Sequence, residues 1–388
     1  MKYVMLFMFA LTFLIGLAQE ENKVYKFKED LEKGLNNDSD PYKYQNYAVF
    51  YSQNNLHAKS LELYNINKSK TKQGTTADSI NFKSYKQVLA KDYLLEQAKN
   101  QQVLIINEIH ANSSHRTFVR HLLKDLYKQG YRFLGLEALF DLDINKRKFA
   151  TLESGFYTKD PEFATLIQQA IATGFIVFGY EGSDFSDPKI REQNQAENIY
   201  KKIKENPKGK FLILCGHAHV QETETPNWGK TMAVRLQDLS GINPYTINQE
   251  TFTERGFVDS NHPFINLNKT KEPIVLLKDD QPFRGFNNNP TTDLVLINPA
   301  TDYVNHRPHW FIKGKKKVEL PAKYKLNKNM LVLAYRDKEY EKGGIPADVL
   351  ELTTDTKNSA LYLLPGAYYI LIKDGGYKKL SGFKIQVK

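Results

Sequence analysis

Glu108 and His110 stand two residues apart, directly after the apolar run Val103–Asn107. If the extended backbone continues through them, both side chains project from one side of the chain. A carboxylate so placed can hold an imidazole in one tautomer while the other ring nitrogen takes a proton from water. Other titratable groups follow apolar runs in the same way. Glu137 comes after Phe133–Leu136, Tyr180-Glu181 closes the run from Phe175, and Gly216-His217-Ala218-His219 follows Phe211–Cys215. Glu137 and Glu181, brought close together, would repel as anions, so one stays protonated or a cation holds both. Arg116, eight residues after Glu108, offers a positive charge for a developing oxyanion or a substrate carboxylate, with His115 beside it. Arg191, Asn194 and Asn198 fall at i, i+3 and i+7 and form one polar stripe on a helix. The expected catalytic set is Glu108, His110, Glu137, Glu181 and His217. Arg116, His115, Tyr180, Arg191, Asn198 and His219 are the expected substrate contacts. Three imidazoles and three carboxylates are also enough to hold a divalent ion, and spacing alone leaves that open.

The elements between these residues explain how they would meet. Val103–Asn107, Phe133–Leu136, Phe175–Tyr180 and Phe211–Cys215 are short, apolar on both faces and rich in β-formers, as buried parallel strands are. Helical spacing links them over Ser114–Gln129, Pro161–Thr173 and Pro188–Glu205, with Gly130, Gly174 and Pro207 at the stops. Strands alternating with helices predict an α/β fold, a mainly parallel sheet flanked by helices. In such sheets ligands bind at the carboxyl edge of the strands, where all these side chains fall. No G-x-S-x-G elbow, H-E-x-x-H helix, phosphate loop or dinucleotide glycine fingerprint is present. The single cysteine, Cys215, lies inside an apolar strand and reads as a buried filler.

The chain has 388 residues, enough for two or three folded units. Residues 1–18 read as a secretory signal: Lys2, the apolar run Val4–Ile15, then small residues before Gln19. The expected product is exported to the periplasm or the medium, with no stable membrane anchor. Residues 19–84 read as a helical segment and linker, 85–256 as the α/β domain, 257–290 as a connector and 291–388 as a small sandwich-like all-β domain. The net charge of +10 is spread through every segment instead of gathered in a stripe, which argues against a nucleic-acid partner. A small molecule or a peptide is the expected substrate.

Over roughly residues 95–245 these motifs resemble the superfamily that joins erythromycin esterases, Tiki-type metalloproteases and ChaN-like haem-uptake proteins. The matching pieces are Glu108-Ile109-His110, His115-Arg116, Gly135-Leu136-Glu137, Tyr180-Glu181, the stretch from Arg191 to Asn198, and Gly216-His217-Ala218-His219. Asn107 stands where members of the superfamily carry glycine. The esterase branch implies His110 as the base that activates water, Glu108 and Glu137 as its support, Arg116 as a substrate contact and His217 as the residue completing the site. The haem-uptake branch implies porphyrin binding without catalysis, and the Tiki branch a metal-dependent protease.

Overall fold

The computed structural model describes residues 24–67, 74–182, 184, 186–286, 289–321, 324, 329–353 and 360–388. The stretch 1–18, read above as a secretory signal, lies outside the described residues. The described residues form two compact units, one within 65–148 and 166–301, the other within 24–64, 149–165 and 302–388.

The first unit is built on a mixed sheet. Its strands are β1 (Lys86–Leu89), β2 (Val103–Glu108), β3 (Tyr131–Leu136), β4 (Ile176–Gly179), β5 (Lys210–Gly216), β8 (Tyr245–Phe252), β9 (Ile274–Lys278), β10 (Gln281–Pro282) and β11 (Leu294–Ile297), with β6 (Glu224–Thr225) and β7 (Gly229–Lys230) pairing apart as a ribbon. The spatial order is β1-β9-β11-β8-β2-β5-β3-β4, and the run from β11 to β4 is parallel throughout. β2 is buried at every residue because it lies in the middle of the sheet, with β8 and β5 on its two edges. Helix Ser113–Lys128 starts on Asn112, whose side chain accepts from the Ser114 amide. Helix Pro188–Glu205 starts on Asp187 with Pro188 in its first turn. On one face Ile105, Phe133, Phe211 and Ile213 of the strands pack with Ala196, Ile199 and Ile203 of that helix and with Met232, Ala233 and Leu236 of helix Met232–Ser240. Among the described residues no helix is long and apolar enough to cross a membrane.

The second unit holds helices Lys28–Asn37, Lys43–Gln53 and His57–Tyr64 and the small antiparallel sheets of the C-terminal part. Met330–Arg336, Asp348–Leu352, Gly366–Asp374 and Lys379–Val387 form a four-stranded sheet, and Lys316–Val318 pairs with Leu361–Leu363. Val332, Leu350, Leu361, Leu363 and Ile370 share one core.

Three boundaries depart from the sequence reading. β9, placed in a connector, and β11, placed in the all-β domain, are both strands of the large sheet. Their buried runs mark sheet interior, and β9 joins antiparallel, a pairing the strand–helix rhythm does not announce. Residues 149–165 belong to the second unit, tied there by the Ser52 hydroxyl donating to Asp160 and by the Lys315–Glu162 ion pair. The 19–84 segment is divided: its first three helices lie in the second unit and helix Thr76–Lys83 in the first.

Candidate active site

Five neighbouring strands deliver the site in spatial order. β8 carries Glu250 near its end, β2 ends in Glu108 and leads to His110, and β5 ends in Gly216 before His217. β3 leads to Glu137, and β4 is followed shortly by Glu181. Residues up to 142 positions apart in sequence thereby share one sheet edge.

At the centre, Arg116 donates from Nε to Glu108 Oε2 at 2.7 Å and from Nη2 to Oε1 at 2.6 Å. The same Nη2 donates to the His110 carbonyl at 2.9 Å. Arg116 is completely buried, so its place is to fix Glu108 and the turn carrying His110, away from any substrate. Burial pushes the Glu108 carboxyl up, but Arg116 and the His110 hydrogen bond outweigh it and hold it down at about 2. Glu108 is therefore an anion, and His110 Nδ1, 3.0 Å from its Oε1, carries the proton. Burial holds the His110 imidazole below its ordinary range, against the opposite pull of Glu108 and Glu137. Neutral His110 then presents an unprotonated Nε2, 4.0 Å from Glu137 Oε1.

Gly216 permits this arrangement. A Cβ there would collide with Cε1 and Nε2 of His110, while the Gly216 amide donates to Glu137 Oε2. In Gly216→Ala the ring must move, with about 1–3 kcal/mol of stability lost to overpacking, which thermal melts measure.

Glu137 belongs to a second, larger network. Arg191 Nη2 donates to Glu137 Oε1 and to Glu181 Oε2, both at 2.6 Å, and Arg191 Nε donates to Glu181 Oε1 at 3.0 Å. Gln195 also donates to Glu181 Oε1, at 3.0 Å. Thus a cation holds both carboxylates, the second of the two arrangements foreseen for this pair. His219 lies between Glu137 (3.5 Å) and Glu192 (2.5 Å), stacked on Trp228 with ring centroids 4.8 Å apart. Arg191 Nη1 lies 3.2 Å from His219 Nε2, where an arginine can only donate, while Glu137 and Glu192 pull the other way and, against burial, raise the imidazole to about 9.

A stability prediction follows from the sign of that shift. A raised folded-state value means the contribution is full below the unfolded value of about 6.5 and is lost as pH rises through about 9. Urea midpoints of the wild type should fall between pH 6.5 and 9. His219→Gln should flatten that part of the curve.

On the other side of His110 stands His217, its ring edge-on with centroids 5.1 Å apart and planes at 85°. His217 Nδ1 is 3.3 Å from Glu250 Oε2. Two non-glycine residues here hold left-handed backbone: Ala138, just after Glu137, at φ 53°, and His217 itself at φ 44°. Such conformations cost free energy and persist where surrounding bonds enforce them.

The remaining expected residues have other partners. Buried His115 accepts from the Ile109 amide at Nδ1, and its Nε2 lies 3.2 Å from Thr253 Oγ1. Burial lowers it to about 4, which keeps it neutral and makes it a brace for the 109–115 turn. The Tyr180 hydroxyl donates to the Leu214 carbonyl inside the core. Asn198 donates to the carbonyl of Tyr180 at 3.0 Å, fixing the segment that presents Glu181. Cys215 is buried, and burial raises its thiol well above the usual range, which suits a filler and not a nucleophile.

Sequence reasoning missed Glu192, Gln195, Gln249 and Glu250. Glu192 neighbours Arg191 but lies off the 191–194–198 stripe, so helical spacing excluded it. Glu250 sits in a strand, Tyr245–Phe252, too rich in Thr, Asn, Gln and Glu to read as buried β. The rule that each strand end brings a titratable group would have found it.

Among the described residues no group of three or more His, Cys, Asp or Glu side chains is arranged to hold a metal ion. The reason is visible at the carboxylates, which accept from Arg116 and Arg191. The donor set therefore does not fit a divalent ion. Of the site's imidazoles, His217 is the most exposed at 33%, against 12% for His110.

No family model matches the chain, and no curated protein matches it. Among solved structures it is similar to the type III effector HopBA1, at 13% identity and TM-score 0.36, over 54% of this chain and 93% of that one. It is similar to RRSP, a MARTX toxin effector domain from Vibrio vulnificus CMCP6, at 18% identity and TM-score 0.30, over 50% and 42% of the two chains. It is also similar to the C-terminal region of Pasteurella multocida toxin, at 12% identity and TM-score 0.30, over 85% and 52%. What the site offers chemically is set by its own residues: a neutral imidazole on a locked carboxylate, beside a charged network of three carboxylates, an arginine and His219.

Proposed function

We propose that the protein hydrolyses an ester or amide bond with water activated by His110. The observation carrying this reading is the Arg116–Glu108–His110 chain, which commits Nδ1 to an anion and so favours the tautomer whose basic nitrogen is Nε2. Water gives a proton to Nε2 while its oxygen bonds to the carbonyl carbon, producing an oxyanion and an imidazolium on His110. As the oxyanion collapses, the bond to the alcohol or amine breaks, and the leaving group takes the proton back from Nε2. Glu108 and Arg116 act through His110. The likeness of Glu108-Ile109-His110 and Gly216-His217-Ala218-His219 to the erythromycin esterase superfamily supports the same reading. Substrate is a small molecule or peptide, and no step requires a metal.

Purified full-length protein should turn over members of a panel of chromogenic esters and amides at a rate unchanged by chelator. No turnover across the panel, together with a stoichiometric Soret shift on titration with hemin, would replace hydrolysis with haem binding.

A further inference from the structure

We propose that Glu250 is the positioning residue of a second imidazole–carboxylate pair, held in register with His217 by Asn107. Its part in turnover rests on the hydrolytic reading above, whereas the pairing stands on geometry alone.

Asn107 is a buried residue of the central strand β2, with β8 on one side and β5 on the other. Its Oδ1 accepts from the Gln249 amide at 2.7 Å, and its own carbonyl accepts from Gln249 Nε2 at 2.8 Å. Its Nδ2 donates to the carbonyl of His217 at 2.9 Å. One side-chain amide thus joins the residue preceding Glu250 to the backbone of His217. Glycine at position 107 could form neither side-chain bond. The clamp on the carbonyl also accounts for the left-handed backbone of His217, which otherwise disfavours a residue with a Cβ.

What the clamp brings together is Glu250 Oε2 and His217 Nδ1, at 3.3 Å. Both side chains are partly exposed, so the pair adds little stability. Its effect is orientation: a carboxylate at Nδ1 selects the Nδ1–H tautomer, whereas an unpartnered neutral imidazole in water prefers Nε2–H. The structure then holds two imidazoles edge to face, each with Nδ1 on its own glutamate, Glu108 for His110 and Glu250 for His217.

The test is long-range proton–nitrogen NMR of the histidine rings in the full chain, with steady-state kinetics alongside. Wild type is expected to show His217 as Nδ1–H. Glu250→Ala should return it to Nε2–H, and kcat should fall about tenfold with KM little changed, the scale of losing an orienting partner. Glu250→Asp should restore part of both. Asn107→Gly should disturb the same tautomer, and if that variant does not fold, Glu250→Ala at the partly exposed position still decides. His217 found as Nε2–H in wild type, or a tautomer indifferent to Glu250→Ala, overturns the pairing. A lost tautomer with unchanged kcat overturns the positioning role and leaves hydrolysis standing. Wild type without turnover on any substrate, yet with the Nδ1–H tautomer, supports the pairing and removes the hydrolytic reading instead.

Discussion

His110→Ala is expected to lower kcat by about 10²-fold or more, the scale of removing a general base. The imidazole is 12% exposed and its Nε2 faces Glu137 and Gly216, with the His217 ring edge-on beside it. His219 is engaged by Glu137, Glu192 and Arg191, and His115 is closed off with its ring nitrogens engaged. His110→Gln separates chemistry from packing, because a glutamine fills much of the ring's volume and can still hydrogen-bond Glu108. It should fold as the wild type does and lose turnover as fully as the alanine variant. The rate–pH profile adds a second check. The wild type should lose activity on the acid side as His110 takes up a proton, at a pH below the ordinary imidazole range because burial disfavours the charged ring. Equal rates in mutant and wild type would remove His110 from the chemistry.

Arg116→Met should cost about 3–5 kcal/mol of stability, the range for stranding one member of a buried ion pair. Both partners are buried, and the two bonds at 2.6 and 2.7 Å form a bidentate grip that methionine cannot reproduce. The pH dependence has a definite sign. Glu108 is held down at about 2 against an ordinary value of 4.5, so its contribution is present above about pH 4.5 and is lost as pH falls through about 2. Without Arg116 the carboxyl rises, and the loss of stability moves toward neutral pH. Urea denaturation from pH 3 to 7 measures both effects. Adding Glu108→Gln to Arg116→Met should recover part of the stability, since no buried charge is left unpaired. It should not recover turnover, because glutamine neither anchors Nδ1–H as an anion nor stabilises the imidazolium. Recovery of both would mean that the pair serves folding alone.

Much of the site is legible along the chain because parallel sheets repeat one local event. An apolar strand ends, the backbone leaves the sheet, and the next side chain turns into the space at the shared edge. Glu108, His110, Glu137, Glu181 and His217 all stand at such points. Roles are less legible than places. Arg116 and His115 open a helix, where surface exposure is usual, yet one is wholly buried on Glu108 and the other braces a turn. Tyr180 looks like a site residue by position, but its hydroxyl bonds a carbonyl in the core.

The sequence by itself determined the strands, the helices between them, and the chemical character of the edge they share, since periodicity, caps and stop residues are local properties. Which carboxylate meets which cation was decided only in three dimensions. Arg191 bridges Glu137 and Glu181 across 54 and 10 residues, and Asn107 reaches Gln249 across 142, because β5 and β8 insert beside β2 from distant parts of the chain. Strand order is fixed by long-range packing, and with it the set of partners that lowers the His110 imidazole and raises that of His219.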